Sequence, residues 1–211
     1  MEKIILPKPH LSYSQMSMWL RNKDQYRERY YLNGPSFETR ESIFGKTTAK
    51  MLEDGVKDKV LDRVPRYHFK EYRIEQEICG IPFLAVLDSF QKSTGSILEY
   101  KTSKNPWTPL MVQKHLQLDV YSLLVKLLHG YVDPWTKLVW IETEYTPELQ
   151  QVGSRQLLGE SNQLRFTGRI EIFKRRIPEW ERQMMKQKIV RVAQEISEDY
   201  QLFLQSNGHR P

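Results

Sequence analysis

Cysteine is nearly absent: Cys79 is the only one in 211 residues. A single thiol excludes an intramolecular disulfide framework and suits a reducing compartment. No apolar run approaches the roughly 20 residues that a bilayer-spanning helix needs, so no membrane association is expected. The opening Met1-Glu2-Lys3-Ile4-Ile5-Leu6-Pro7 carries too short an apolar stretch for a secretory signal, and a cytoplasmic location is the expectation. Internal repeats, low-complexity tracts and a coiled-coil register are missing as well. Acid is in deficit: 32 Lys+Arg against 26 Asp+Glu give a net charge of +6 and a pI near 9.3, which favours a polyanionic partner. With 39% hydrophobic and 27% charged residues the composition is that of a soluble globular chain. Its length suits one substantial α/β domain, or a core with a helical appendage, and is too short for two enzymatic domains.

Within that frame one stretch, Gly80 to Tyr121, concentrates the chemistry. Ile81 to Phe90 reads as a mostly apolar strand holding a single carboxylate, Asp88. Gln91-Lys92-Ser93-Thr94-Gly95 supplies turn chemistry, with Gly95 free to take positive φ. The second strand, Ser96-Ile97-Leu98-Glu99-Tyr100-Lys101, alternates so that Ile97, Glu99 and Lys101 share a face opposite Leu98 and Tyr100. A short turn would bring Asp88 beside Glu99, with Lys101 two residues further on. Two carboxylates converging with an ammonium repel or desolvate one another unless something lies between them. Hard oxygen ligands suit Mg²⁺ or Mn²⁺ in that place.

Asp88, a turn, then Glu99-Tyr100-Lys101 resembles the D…ExK signature of the PD-(D/E)XK nuclease superfamily, and its RecB-like, Cas4-like and phage exonuclease branch in particular. Leu11-Ser12-Tyr13-Ser14-Gln15, followed by Tyr26 and Tyr30-Tyr31, is similar to that branch's amino-terminal helix. Phe44-Gly45 resembles its first motif, and Gln117-Leu118-Asp119-Val120-Tyr121 its QxxxY motif. Departures are present too. The metal-binding His four residues after the motif-one glycine is replaced by Ala49. Glu53, one turn further along the same helical face, is a replacement ligand or an ordinary exposed charge. The usual GxxD reads Ala85-Val86-Leu87-Asp88. One cysteine also excludes the four-cysteine iron–sulfur cluster of some relatives.

The resemblance implies a restriction-endonuclease-like core: an α/β fold with a mixed central β-sheet flanked by helices and a long C-terminal helix. It would form a single domain over 1–211, with an N-terminal helical element (1–35), a catalytic core (42–145) and a C-terminal strand and basic helix (163–206). It implies metal-dependent hydrolysis of DNA phosphodiesters, as an exonuclease in phage-type recombination, repair or processing, in a bacterial cell or a phage-infected host. Asp88 and Glu99 would hold Mg²⁺ or Mn²⁺ with the Tyr100 carbonyl as a further ligand, and Lys101 would position water or stabilise charge on the phosphate. Gln117, Tyr121 and Gly45 would face the substrate. The partners implied are single- or double-stranded DNA and a homo-oligomer or recombination protein. The rivals are a catalytically silent nucleic-acid binder that keeps the fold, and a protein-interaction subunit using the last helix.

Elsewhere the chain reads more plainly. Ser12 or Ser14 can cap a helix carrying Met16, Trp19, Tyr26 and Tyr30, whose aromatics suit a core better than a base-stacking platform. A second helix is expected from Ser42 through Leu52 and Val56 towards Leu61. Its Gly45-Lys46-Thr47-Thr48 is no phosphate loop, because Arg40 stands where the first glycine belongs. Trp107, between prolines, could stack on a base or close a lid over the core. Leu110–Leu128 reads as one long helix with Gln113, Gln117 and Tyr121 in a polar seam. Trp135–Tyr145 and Leu164–Ile172 read as strands, with a polar connection over Glu148–Asn162. A long helix from Ile177 carries basic residues (Arg182, Lys186, Lys188, Arg191) which, with Lys174-Arg175-Arg176, form a solvated face or touch phosphate.

Overall fold

The structure, a computed structural model, describes residues 4–36, 38–146 and 164–208. The connection expected over Glu148–Asn162 lies outside these residues. In chain order the elements are β1 (Leu11–Ser12), α1 (Tyr13–Arg21), α2 (Lys23–Tyr30), α3 (Arg40–Asp54), β2 (Phe69–Ile78), β3 (Ile81–Gln91), β4 (Ser96–Ser103), α4 (Pro109–Gln113), α5 (Leu116–His129), β5 (Trp135–Tyr145), β6 (Leu164–Arg176) and α6 (Glu179–Ser206).

The strands form one mixed six-stranded sheet in the order β1-β3-β4-β5-β6, with β2 also on β3. The β4–β5 and β1–β3 pairs are parallel; β2–β3, β3–β4 and β5–β6 are antiparallel. On one face α5 and α6 bury Ile74, Phe83, Leu87, Ile97, Val120, Leu124, Ile189 and Ile196. On the other, Leu52 of α3 and the short helical turn at Leu61 cover Leu98, Val139 and Ile141. The Ile97-against-Leu98 alternation is therefore observed. Each fully buried Leu or Ile contributes about 1.5–3 kcal/mol, which is why these two apolar faces fix the sheet between its helices.

Three helices differ from the sequence reading, each for a local reason. The first breaks at Asn22, whose backbone is extended (φ −157°) and whose side chain caps α2 through the Gln25 N–H. The second stops at Gly55, in the left-handed region at φ 70°, short of Val56 and Leu61. Leu110–Leu128 is two helices, because the chain turns at Lys114–His115 before α5 begins. As expected, Met16, Trp19 and Tyr26 are buried core residues and Tyr30 packs partly buried against them, while Tyr31, also buried, packs on Tyr200 and Phe203 of α6. No described helix is long and apolar enough to cross a membrane.

The feature that positions the site is a parting of strands. β3 and β4 pair only over Ser89–Gln91 and Ser96–Leu98, next to their turn. Beyond that they separate, and β1 enters the opening to pair with Phe83 and Leu84. The β3 edge from Ala85 to Asp88 thus lacks a ladder partner on that side. Buried backbone groups left unpaired there would cost about 1–3 kcal/mol each, so side chains must satisfy them.

Candidate active site

Asp88 and Glu99 stand where the two strands separate. The Tyr100 N–H, which has lost its ladder partner on β3, donates to Asp88 Oδ2 at 2.7 Å. On the opposite edge the Val86 carbonyl accepts the Tyr121 hydroxyl at 2.8 Å. Lys101 Nζ lies 2.6 Å from Glu99 Oε1 and 2.9 Å from Gln117 Oε1. Gln117 in turn donates from Nε2 to the Tyr121 hydroxyl at 2.7 Å. One continuous network therefore runs from Glu99 through Lys101, Gln117 and Tyr121 to the β3 backbone. The i, i+4 spacing of Gln117 and Tyr121 on α5 is what lets both reach into the parting at once.

Electrostatics at the site are severe. Glu99 is only 2% exposed, and its Oε2 is buried with no hydrogen-bond partner. Burial first, and the Glu99 charge next, push the Asp88 carboxyl well above the usual carboxylate range, against the pull of the Tyr100 N–H and Lys101. Burial alone would pull Lys101 down, but Glu99 and Asp88 outweigh it and hold the ammonium above its ordinary value. Burial and the Glu99 charge also raise the Tyr121 hydroxyl, so it stays a neutral donor. A cation placed against Glu99 Oε2 and Asp88 would satisfy the orphaned oxygen and relieve the carboxylate repulsion. The donor set thus fits a hard divalent ion, with Asp88 and Glu99 as its holders. Among the described residues, however, no three His, Cys, Asp or Glu side chains are already gathered as a preformed metal cage.

A cavity of about 300 Å³ opens onto these groups from the α3 side, lined by Glu41, Gly45, Ala49, Asp88, Glu99 and Lys101 among others. Gly45 is where α3 crosses β4: a Cβ there would come within 3.2 Å of Thr102 Oγ1. Ala49 leaves that wall without a ligand. Glu41, at the start of α3, is held ionised by the Tyr145 hydroxyl that donates to it. Glu53 lies towards the end of α3, ion-paired to Lys50 at 2.9 Å. Trp107 packs against the core formed by Val112, Leu118, Leu138, Trp140 and Ile177, with its ring edge-on to His115 at 5.0 Å.

Sequence reasoning missed Glu71. On β2 it stands opposite Asp88: pairing runs Lys70 to Ser89 and Tyr72 to Leu87, leaving these two out of the ladder between them. Glu71 has φ 47°, a left-handed conformation unusual for a non-glycine residue in a strand. Both strands slip phase here, so that Phe69 and Tyr72, and Leu87 and Phe90, face the same core. Partial burial, then Glu53 and Glu99, raise the Glu71 carboxyl. Tyr13, at the start of α1, sets its ring edge-on to His115 at 6.0 Å, which puts the start of α1 against the start of α5, next to Gln117.

No family model and no curated protein matches the chain. Among solved structures, it superposes on a candidate exonuclease from Eubacterium rectale with a TM-score of 0.55 at 11% identity, over 89% of this chain and 82% of that one. The chain shares the fold of that protein. A phage-related exonuclease from Haemophilus somnus is also similar, at a TM-score of 0.49 and 13% identity, covering 84% of this chain and 79% of that one. The expected restriction-endonuclease-like core, with a mixed sheet between helices and a long final helix, is what the structure displays. In this fold the parted β3 and β4 carry Asp88 and Glu99-Tyr100-Lys101 on the wall of the cavity.

Proposed function

We propose that the protein is a Mg²⁺- or Mn²⁺-dependent deoxyribonuclease that hydrolyses phosphodiester bonds, acting as an exonuclease in phage-type DNA recombination, repair or processing. The observation that carries this reading is the buried, unpartnered Oε2 of Glu99, a residue that lines the same cavity as Asp88 and Lys101. A divalent ion held by Asp88 and Glu99, with the Tyr100 carbonyl as a further oxygen ligand, would polarise the phosphate and lower the pKa of bound water. The Lys101 ammonium, held charged by Glu99 and oriented by Gln117, is placed to stabilise negative charge growing on a phosphate oxygen. Gln117 and Tyr121 spend their hydrogen bonds on Lys101 and the Val86 carbonyl, so their part is to aim the ammonium.

Linear and closed circular DNA, single- and double-stranded and end-labelled, should be incubated with a metal series. Cleavage of linear but not circular DNA with Mg²⁺ or Mn²⁺, abolished by EDTA and by Lys101→Ala, is expected. A second reading, a nucleic-acid binder that keeps the fold but not the chemistry, is favoured by Ala49 and by the engagement of Lys101 with Glu99. Retained DNA binding without cleavage in any metal would establish it.

A further inference from the structure

We propose that the groove between α6 and the start of α5 is a single-strand track that holds a nucleic-acid chain apart from the catalytic cavity; this rests on the nuclease reading above. The groove has a volume of about 800 Å³ and is lined by Lys114, Leu116, Trp180, Met184, Lys188 and Arg191 among others. Trp180, Met184, Lys188 and Arg191 recur at helical spacing, so one face of α6 presents an aromatic ring, a thioether and two cations in sequence. Trp180 is 62% exposed and Met184 60%, an apolar pair that a solvated helix face has no reason to display.

The charge of the groove decides what fits it. Its acids, Asp119 and Glu181, are both committed to the Arg175 guanidinium, Asp119 at 2.8 Å. Arg182 is turned inward to the Ile177 and Val132 carbonyls. Of the basic residues that the sequence gathers in this region, Arg175 and Arg182 are therefore structural. Lys188, Arg191 and Lys114 line the groove; the acid contact of Arg191 is loose, 3.9 Å to Glu195. Cations around an exposed indole and thioether suit an anion with flat, unstacked faces. That is a single strand of nucleic acid, whose bases stack on aromatic rings without regard to sequence while phosphates meet lysine and arginine. A duplex keeps its bases stacked inside and has no use for Trp180. Along α6 the run from Trp180 to Arg191 is about 16 Å at ~1.5 Å per residue, the length of about five stacked nucleotides.

Groove and catalytic cavity have no lining residue in common, and α5 is what links them. Leu116 lines the groove, and the next residue, Gln117, accepts from Lys101 Nζ at 2.9 Å. A strand held along α6 would therefore lie one residue of α5 away from the side chain that orients Lys101.

The test measures fluorescence anisotropy of a labelled oligothymidylate of about twenty nucleotides, in EDTA and across a salt series, for the wild type, Trp180→Ala and Lys188→Glu/Arg191→Glu. Hydrolysis of bis(p-nitrophenyl) phosphate with Mn²⁺ is followed in parallel, because that substrate is too small to reach the groove. Trp180→Ala should raise Kd about tenfold and leave the small-substrate hydrolysis unchanged. The double variant should lower the slope of log K against log salt by about 1.4, two phosphate contacts at ~0.7 each. Thermal melting confirms that each variant is folded. Coincident curves for the wild type and Trp180→Ala would overturn the proposal while metal-dependent hydrolysis left the nuclease reading standing. Weakened oligonucleotide binding with no hydrolysis in any metal would keep the groove and remove the nuclease reading. A wild type that binds an acidic, aromatic-bearing peptide but not the oligothymidylate would make the groove a protein dock and overturn the proposal.

Discussion

Gln117→Ala separates two roles for the QxxxY residues. In the structure Gln117 Oε1 is one of two acceptors for Lys101 Nζ, at 2.9 Å, and Nε2 holds the Tyr121 hydroxyl at 2.7 Å. Truncation leaves Tyr121 its bond to the Val86 carbonyl and Lys101 its bond to Glu99, so the network loses its middle and keeps both ends. A hydrogen bond to a buried charge contributes about 1.5–3 kcal/mol, the loss expected in stability by urea unfolding. Should the same interaction aim the ammonium in the transition state, kcat falls by roughly 10–150-fold while KM holds. Steady-state kinetics on an oligonucleotide, beside the unfolding curve, supply both quantities. A rise in KM with kcat intact would show Gln117 gripping substrate instead and would refute the positioning role. An unchanged unfolding midpoint would refute the network itself.

Three further outcomes follow from the same geometry. Burial, against the pull of Arg175, lifts Asp119 to about 6, so its contribution to stability is full below its unfolded value and is lost as pH rises through about 6. Burial and the Lys101 charge depress His115 to about 4, so its contribution is full above about 6.5 and is lost as pH falls through about 4. Each spans about 3 kcal/mol, and they oppose one another. Asp119→Asn should unmask a rise in stability between about pH 4 and 6.5, read by urea unfolding, and a flat profile would contradict it. Glu71→Gly should relieve the φ of 47° and stabilise the fold by ~1 kcal/mol while weakening Mn²⁺-dependent hydrolysis; unchanged metal titration would remove Glu71 from the site. Gly95→Ala places a Cβ 2.6 Å from the Tyr131 ring at a φ of 68°, so the melting temperature should drop by an amount equal to about 2 kcal/mol or more.

What the sequence made legible was local. Asp88, Glu99 and Lys101 lie on consecutive strands joined by one turn, so alternation and a glycine suffice to bring them together. Gly95 does take positive φ, and Gly130 ends α5 in the left-handed region. Glu71 was invisible because it reaches Asp88 only through the register of β2 on β3, and through a phase slip that both strands share. The basic reading of Arg175 and Arg182 failed for a related reason. Their partners, Asp119 and the Ile177 and Val132 carbonyls, are brought to them by packing of α5 and α6. The long helix over Leu110–Leu128 broke at His115 because its apolar stripe is continuous across a bend that hydrophobic periodicity does not register.

Because the Tyr100 amide is held by the Asp88 carboxylate instead of by a neighbouring strand, its proton is exchangeable on terms set by that one side chain. Whatever draws the carboxylate away, or neutralises it, changes how fast deuterium enters at that single backbone nitrogen. The Tyr100 amide would therefore report, through its exchange rate, any ion that engages the Asp88 carboxylate.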